Sequence, residues 1–384
     1  MSRSSAAEPR EQVAAKHGML QLVWYFLRLG TWGFGGPIAL AGYMQRDLVE
    51  RRGWFREDEY LDGLALAQLA PGPLAAQLAM YLGLLRGGVT GATLVAFAFI
   101  LPSFLMVLAL SFFYVKFGGL PWMRAAFYGI GAAVIAIVAR SAFKLVKTVL
   151  ARDVLLWGIF LVLLVSTAVT EREIVWLFLA GGLLALVIKA PPKLSGTKAV
   201  YFLFGTGYSW LSGTFIQIWF FFTKASLFVF GSGLAIVPFL YGGVVQQYHW
   251  LNEQQFIDAV AVAMITPGPV VITVAFIGYL VYGFPGAIAA ALGVFVPVYL
   301  VVVIAGPFYK KFAGNVHLRA FVRGVTAAAT GAIAGAVVVL ARRSITDIST
   351  ALIAVVALAL LFRWKIPEPL IILAAGLMGF LLKR

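Results

Sequence analysis

The chain has 384 residues, of which 62% are hydrophobic and only 12% charged, about half the charged share of an ordinary soluble domain. At ~20 residues per crossing helix this is material for roughly a dozen membrane segments, which excludes a soluble enzyme, a secreted disulfide scaffold and a disordered chain. There is no cysteine, hence no disulfide, thiolate nucleophile or sulfur-ligated metal. The formal charge of +15 reads as basic loops between apolar segments, not as a nucleic-acid surface.

In chain order, residues 1–18 form a polar tail of cytoplasmic type with no signal-peptide cleavage pattern. Apolar stretches follow at 19–45, 61–85, 89–115, 122–139, 153–170 and 174–188. A linker at 189–212 contains Pro191 and Pro192, and the series resumes at 213–245, 256–281, 286–309, 320–341, 350–362 and 369–382. Glycine-rich apolar runs of this length predict helices, because open strands cannot satisfy their backbone groups in lipid. His17, His249 and His317 stand singly, so neither a metal site nor a bound cofactor is expected.

The halves 19–188 and 213–384 repeat each other. A shift of 196 positions carries Phe34-Gly35 onto Phe230-Gly231, Trp54 onto Trp250, Glu57 onto Glu253 and Asp62 onto Asp258. It also carries Pro71-Gly72-Pro73 onto Pro267-Gly268-Pro269. After a one-residue gap, Gly91 matches Gly286, Pro102 matches Pro297 and Arg124 matches Arg319. Duplicated membrane halves of this kind are a transporter architecture. Loop 46–57 holds Arg46, Arg51, Arg52 and Arg56, whereas its counterpart 246–255 holds no Lys or Arg. Loop 116–124 shows the reverse bias against 310–323. Opposite bias in matched loops predicts oppositely oriented halves. It also requires the Pro-Gly-Pro segment to be re-entrant, so that loops 46–57, 140–152 and 310–323 share a side with Arg86. The fold class expected is an all-α polytopic membrane protein of two inverted repeats with broken or re-entrant helices.

Three pairs of features carry chemistry. Ten residues of helix, 61–70, reach ~15 Å, half the hydrocarbon thickness. The breaks Pro71-Gly72-Pro73 and Pro267-Gly268-Pro269 therefore place fresh helix amino termini near the midplane. Such ends attract anions, although a plain proline kink gives the same sequence. Gly33-Phe34-Gly35-Gly36-Pro37 and Phe230-Gly231-Ser232-Gly233 predict a second pair of breaks, or close packing through small residues. Arg28 and Lys224, six residues before each Phe-Gly, are cations within apolar helices. They suit a tetrahedral dianion held between the halves, unless they snorkel to headgroups. Asp62 and Asp258 are either proton carriers or first-turn acids that stabilise a helix dipole. Gln68, Gln77, Thr266 and Thr273 flank the breaks as hydrogen-bond donors.

Phe34-Gly35-Gly36-Pro37, the run from Trp54-Phe55 through Glu57 and Asp62 to Gln68-Leu69-Ala70-Pro71-Gly72-Pro73, and the repeated half resemble the two-domain chromate transporter family. The resemblance covers nearly the whole chain and departs from the family pattern at Ser232-Gly233 and Met264. It implies a multi-pass protein of the bacterial inner membrane that exports chromate and confers resistance, with a link to sulfate-like oxyanions. No Walker A pattern is present, so a secondary transporter is expected, with no enzymatic activity. Sulfate-type uptake and an anion channel stay open beside it, as do monomer and homodimer.

Overall fold

A computed structural model describes residues 18–34, 36–117, 121–171, 175–191, 213–227, 236–309, 315–364 and 366–383. The first half runs α1 (Met19–Trp32), α2 (Gly36–Met44) with a π-helical turn at Gln45–Arg51, and α3 (Glu57–Leu69). It continues with α4 (Leu74–Phe117), α5 (Pro121–Val149), α6 (Val154–Thr170) and α7 (Val175–Lys189). The second half repeats this as α8 (Thr214–Leu227), α9 (Ile236–Tyr241) with a π-helical turn at Gly242–Gln247, and α10 (Glu253–Ile265). Next come α11 (Thr273–Ala305), α12 (Val316–Ser344), α13 (Ile348–Arg363) and α14 (Glu368–Leu382). The bounds of α3 and α10 differ by the same shift of 196 that aligns their sequences, and those of α5 and α12 by 195.

Local chemistry sets these boundaries. Helix α10 opens on a reciprocal cap: Asn252 Oδ1 accepts from the Gln255 N–H at 2.8 Å, and Gln255 Oε1 accepts from the Asn252 N–H at 3.0 Å. In α3 the Arg56 N–H donates to Glu59 Oε2 at 2.9 Å, and acids Glu57, Asp58 and Glu59 fill the positive first turn. Both helices stop after 13 residues, ~20 Å of rise, where the Pro-Gly-Pro sequence removes amide donors.

The first break reverses the chain. Gly63 of α3 packs against Leu78 and Tyr81 of α4, and the Arg86 guanidinium lies 5.9 Å from the Phe55 ring centroid. Residues 57–86 are thus a hairpin that enters and returns to one face. Helix α4 then bends sharply at Gly87 and Gly88, where Gly88 has φ 59° and ψ −149°. Gly283 in α11 has φ 60° and ψ −151°, so the same turn recurs in the second half. At each turn two glycines stack, Gly83 on Gly91 and Gly278 on Gly286, and any side chain there would meet the opposing carbonyl. Residues 89–117 then run ~43 Å, a full crossing.

The halves are inverted. Thr93, early in the crossing part of α4, shares a hydrogen bond of 2.7 Å with the Tyr299 hydroxyl, late in α11. Tyr114, at the far end of α4, packs edge-on against Phe276 at 5.2 Å, early in α11, while Gly306 lies beside Leu84 and Tyr81. Equivalent helices therefore cross antiparallel. One face collects Arg46, Arg51, Arg52, Arg56, Arg86, Arg152 and Lys189, with Lys189 paired to Asp153 and His317 Nδ1 2.8 Å from the Ala190 carbonyl oxygen. This basic face holds the loops that the charge rule puts together. The other face holds the start of α10 and the α12–α13 turn, where Arg343 pairs with Glu171 and Glu253.

The halves also exchange their last helices. Helices α6 and α7 pack on α12 of the other half, and α13 and α14 on α5. Glycines make the close approaches: Gly331 meets the Phe160 carbonyl and Gly324 that of Gly181, while Gly129 meets Ala375 and Gly379 meets Ala125. Lacking a hydrophobic force between helices in lipid, such small-residue contacts supply the packing.

Candidate functional site

The breaks from the two halves meet. The Gly268 N–H donates to the Gly33 carbonyl at 2.8 Å, joining the second half's Pro-Gly-Pro to the first half's Gly-Phe break. Gly268 has φ +93° and Gly72 φ +130°, backbone that glycine adopts readily and L-residues avoid. A Cβ on Gly268 would collide with Ser103 Oγ, and one on Gly72 would lie 2.6 Å from Val298 Cγ2. Ser103 and Val298 are equivalent positions, each following its helix proline, Pro102 or Pro297. Each break therefore presses on the crossing helix of the opposite half.

The first break is braced from within. Gln77, fully buried, donates from Nε2 to the Pro71 carbonyl at 2.6 Å, and its Oε1 has no partner. Its counterpart Thr273 donates to the Val270 carbonyl at 2.8 Å, and Thr266 donates to Val262 at 2.6 Å. After Pro73, α4 starts directly at Leu74, whereas after Pro269 a 3-10 turn, Val270–Ile272, precedes α11. The helix amino terminus expected at the break is thus immediate in the first half only.

Related cavities open from the two faces towards the breaks. On the basic face a cavity of about 660 Å³ runs from Lys189 and Arg319 past Arg323 and Tyr309 to Gln68 and Leu69, at the end of α3. On the other face a cavity of about 940 Å³ is lined by the equivalents Tyr114 and Arg124, with Lys383, Gln254 and Asp258. There Asp258, 3% exposed, accepts from the Tyr114 hydroxyl at 2.7 Å and from Gln254 Nε2 at 2.8 Å. At the outer edge of this cavity the Tyr128 hydroxyl bonds the Asp347 carboxylate, and this bond, with the Thr350 backbone N–H, holds Asp347 below the usual carboxylate range. Asp62 is half-buried and sits within electrostatic reach of Tyr309, so the two acids keep equivalent tyrosines but differ in burial.

Arg28 and Lys224 are exposed on α1 and α8. Arg28 borders a third cavity, of about 660 Å³, shared with Arg46, Asp47, Arg52, Gly33 and Phe34. Arg52 stacks there over Tyr25 and Trp54, at 5.6 and 4.7 Å. This cavity touches the Gly33 end of the inter-half contact, which brings Arg28 beside one break. Gly36 starts α2 at φ +75°. Gly35, Gly231 and Ser232 lie outside the described residues. Pro71, Gly72 and Pro73 form the first tip, and Pro267, Gly268 and Pro269 the second. Sequence reasoning missed Arg319, Arg323 and Lys189 as cavity cations, because they read as loop charges. The spacing of four between Arg319 and Arg323 was the available signal.

Among the described residues no group of three or more His, Asp or Glu could hold a metal ion. Comparison with known proteins adds the lineage. The family model described as "Chromate transporter" matches residues 20–186 and again 216–380. The chain is 59% identical to a chromate transport protein of Cupriavidus metallidurans, over 95% of this chain and 94% of that protein. It is 55% identical to a probable chromate transport protein of Synechococcus elongatus, over 94% and 95% of the two chains. A chromate transport protein of Pseudomonas aeruginosa is 31% identical over 94% and 92%. No solved structure matches the chain.

Proposed function

The chain belongs to the chromate transporter family, and on that premise we propose that it is a secondary transporter that exports chromate across the bacterial inner membrane and so confers chromate resistance. The basic face is then cytoplasmic by the positive-inside rule. The observation that carries the reading is the meeting of Gly268 with Gly33, where breaks from inverted halves touch between cavities opening to opposite faces.

Alternating access follows from that contact. One neutral backbone hydrogen bond contributes only about 0.5–1.5 kcal/mol net, so movement of the break-bearing helices against the exchanged scaffold of α5–α7 and α12–α14 can part the tips. The freed Gly268 N–H and the α4 amino terminus behind Pro71-Gly72-Pro73 then offer donors to a tetrahedral dianion. Arg28 and Lys224 contribute positive potential on the two sides of this axis. Export is downhill electrically, at ~2.3 kcal/mol per charge per 100 mV for an anion leaving a negative interior. Asp258, buried at the opposite cavity, is the better placed of the two acids to couple a proton, a coupling that uptake would require and export would not.

Chromate accumulation in inside-out vesicles from cells expressing the chain tests the proposal. Saturable accumulation that sulfate inhibits and planar nitrate inhibits poorly is expected. Non-saturating flux would make the protein a channel, and transport only into right-side-out vesicles would make it a sulfate-type uptake system.

A further inference from the structure

The two face cavities are equivalent in position but not in charge. On the basic face, Arg319 and Arg323 stand one turn apart on α12, and Arg323 lies within electrostatic range of Lys189 on α7. Like charges four residues apart destabilise a helix, and cations in its first turns oppose the helix dipole. Folding alone therefore disfavours this arrangement. Lys189 has Asp153 as partner, but among the described residues neither arginine makes an ion pair. The lining also holds the amide of Gln68 and no carboxylate, while the Thr148 and Thr326 hydroxyls donate within their own helices, to the Lys144 and Val322 carbonyls. Across the membrane, Arg319 is matched by Arg124 and Lys383 adds a second cation, but Tyr128 stands in place of Arg323 and the buried Asp258 joins the lining.

We propose that Arg319, Arg323 and Lys189 form a capture site for tetrahedral oxyanion dianions at the basic face, and that Gln68 passes the anion to the Pro71-Gly72-Pro73 break. The inference rests on the transport reading above and adds a specific loading site to it. A bound dianion relieves the repulsion between the two arginines, and planar guanidinium groups match two oxygens of an oxyanion at once. The opposite cavity, with an acid in its wall, holds the same ion less tightly and favours release. The asymmetry sets affinity at each face, while the membrane potential sets the direction of net flux.

Two measurements on the full chain test this. The first is equilibrium binding of chromate to the purified protein, and the second is the half-saturating chromate concentration at the basic face in inside-out vesicles. Arg319→Gln with Arg323→Gln should weaken binding and raise the half-saturating concentration by about tenfold. Arg319→Lys with Arg323→Lys should recover only part of the loss, because the charge returns without the planar two-oxygen contact. Arg51→Gln, which removes an exposed basic-face charge outside the cavity lining, should leave both values unchanged. Wild-type values in the double glutamine variant, with wild-type transport intact, overturn the capture site and spare the transport reading. Wild-type binding without transport, lost in the double variant, supports the site and sinks the transport reading. Absence of chromate binding to the wild-type protein overturns both.

Discussion

The Gly268 N–H and the Gly33 carbonyl lie 2.8 Å apart across the boundary between the two halves. Around them, Ser103 Oγ donates to the Gly30 carbonyl at 3.2 Å, and Gly268 has no room for a side chain against Ser103. Backbone from three segments converges here, with these polar groups satisfied by one another. Left bare in hydrocarbon, each such group would cost several kcal/mol. The tips must therefore exchange this contact for water or anion when they part.

Substitution at the two tip glycines should hurt for separable reasons. Both have positive φ, which costs an L-residue about 1–3 kcal/mol, so Gly72→Ala and Gly268→Ala should each lower thermal stability. Ser103→Ala should partly rescue Gly268→Ala, and Val298→Ala should partly rescue Gly72→Ala, because each removes the nearest atom the new Cβ meets; Gln77 Nε2, 2.8 Å from a Cβ on Gly72, limits the second rescue. Crossed pairings should give no rescue. Gly72→Val should abolish chromate transport and exceed Gly268→Val in effect, since only the first break opens directly onto an α-helix.

Inverted halves predict opposite labelling. Single cysteines at Glu50 and Gln247, which occupy equivalent π-helical turns, should react with an impermeant thiol reagent from opposite faces. The chain has no cysteine of its own, so labelling reports only the introduced site. Reaction from one face at both sites would contradict the antiparallel crossing of α4 and α11.

Asp258 and Asp62 should part company. Asp258→Asn turns one of the two accepting carboxylate oxygens into an amide donor, and Tyr114→Phe leaves the carboxylate one donor short, at about 1–3 kcal/mol. Asp258→Asn should flatten the pH dependence of transport, while Asp62→Asn should leave the profile close to wild type. Identical profiles in all three proteins would leave both acids without a coupling role; they stand in the second turns of α3 and α10, not in the first turns that the sequence suggested.

Arg343 bridges Glu171, after α6, to Glu253 at the start of α10. Gln246 Nε2 adds a contact to Glu171 at 3.3 Å. The equivalent of Arg343 in the first half is Thr148, so this clasp exists on one face only. Arg343→Gln should lower stability by about 1–2 kcal/mol, discounted for partial exposure. It should also raise protease access to the α6–α7 turn. Wild-type protease sensitivity would show that the clasp holds nothing closed.

Much of this was legible in the sequence because duplication writes each feature twice. The recurrence of Trp, Asp and Pro-Gly-Pro fixes equivalent elements, and loop charge fixes their inversion. The re-entrant path of residues 57–86 followed from the same charges, and contacts such as Phe55 with Arg86 agree with it. The turns at Gly88 and Gly283 fall where the apolar stretches divide, between 85 and 89 and between 281 and 286, although composition gave no sign of the glycine stacking that closes them. The exchange of α6–α7 and α13–α14 between halves was also hidden, because tertiary pairing of small-residue faces leaves no periodicity of its own. Arg28 and Lys224 stood out as charges in apolar helices, whereas Arg319 and Arg323 did not, because adjacency to a cavity is a property of the fold.

The most direct test of the account is chromate flux through the purified chain in sealed liposomes under an imposed membrane potential. The account predicts saturable flux that rises with the potential drawing anions away from the basic face, falls with added sulfate and vanishes in Gly72→Val. Flux no greater than in protein-free liposomes, or full flux in a properly inserted Gly72→Val protein, would contradict it.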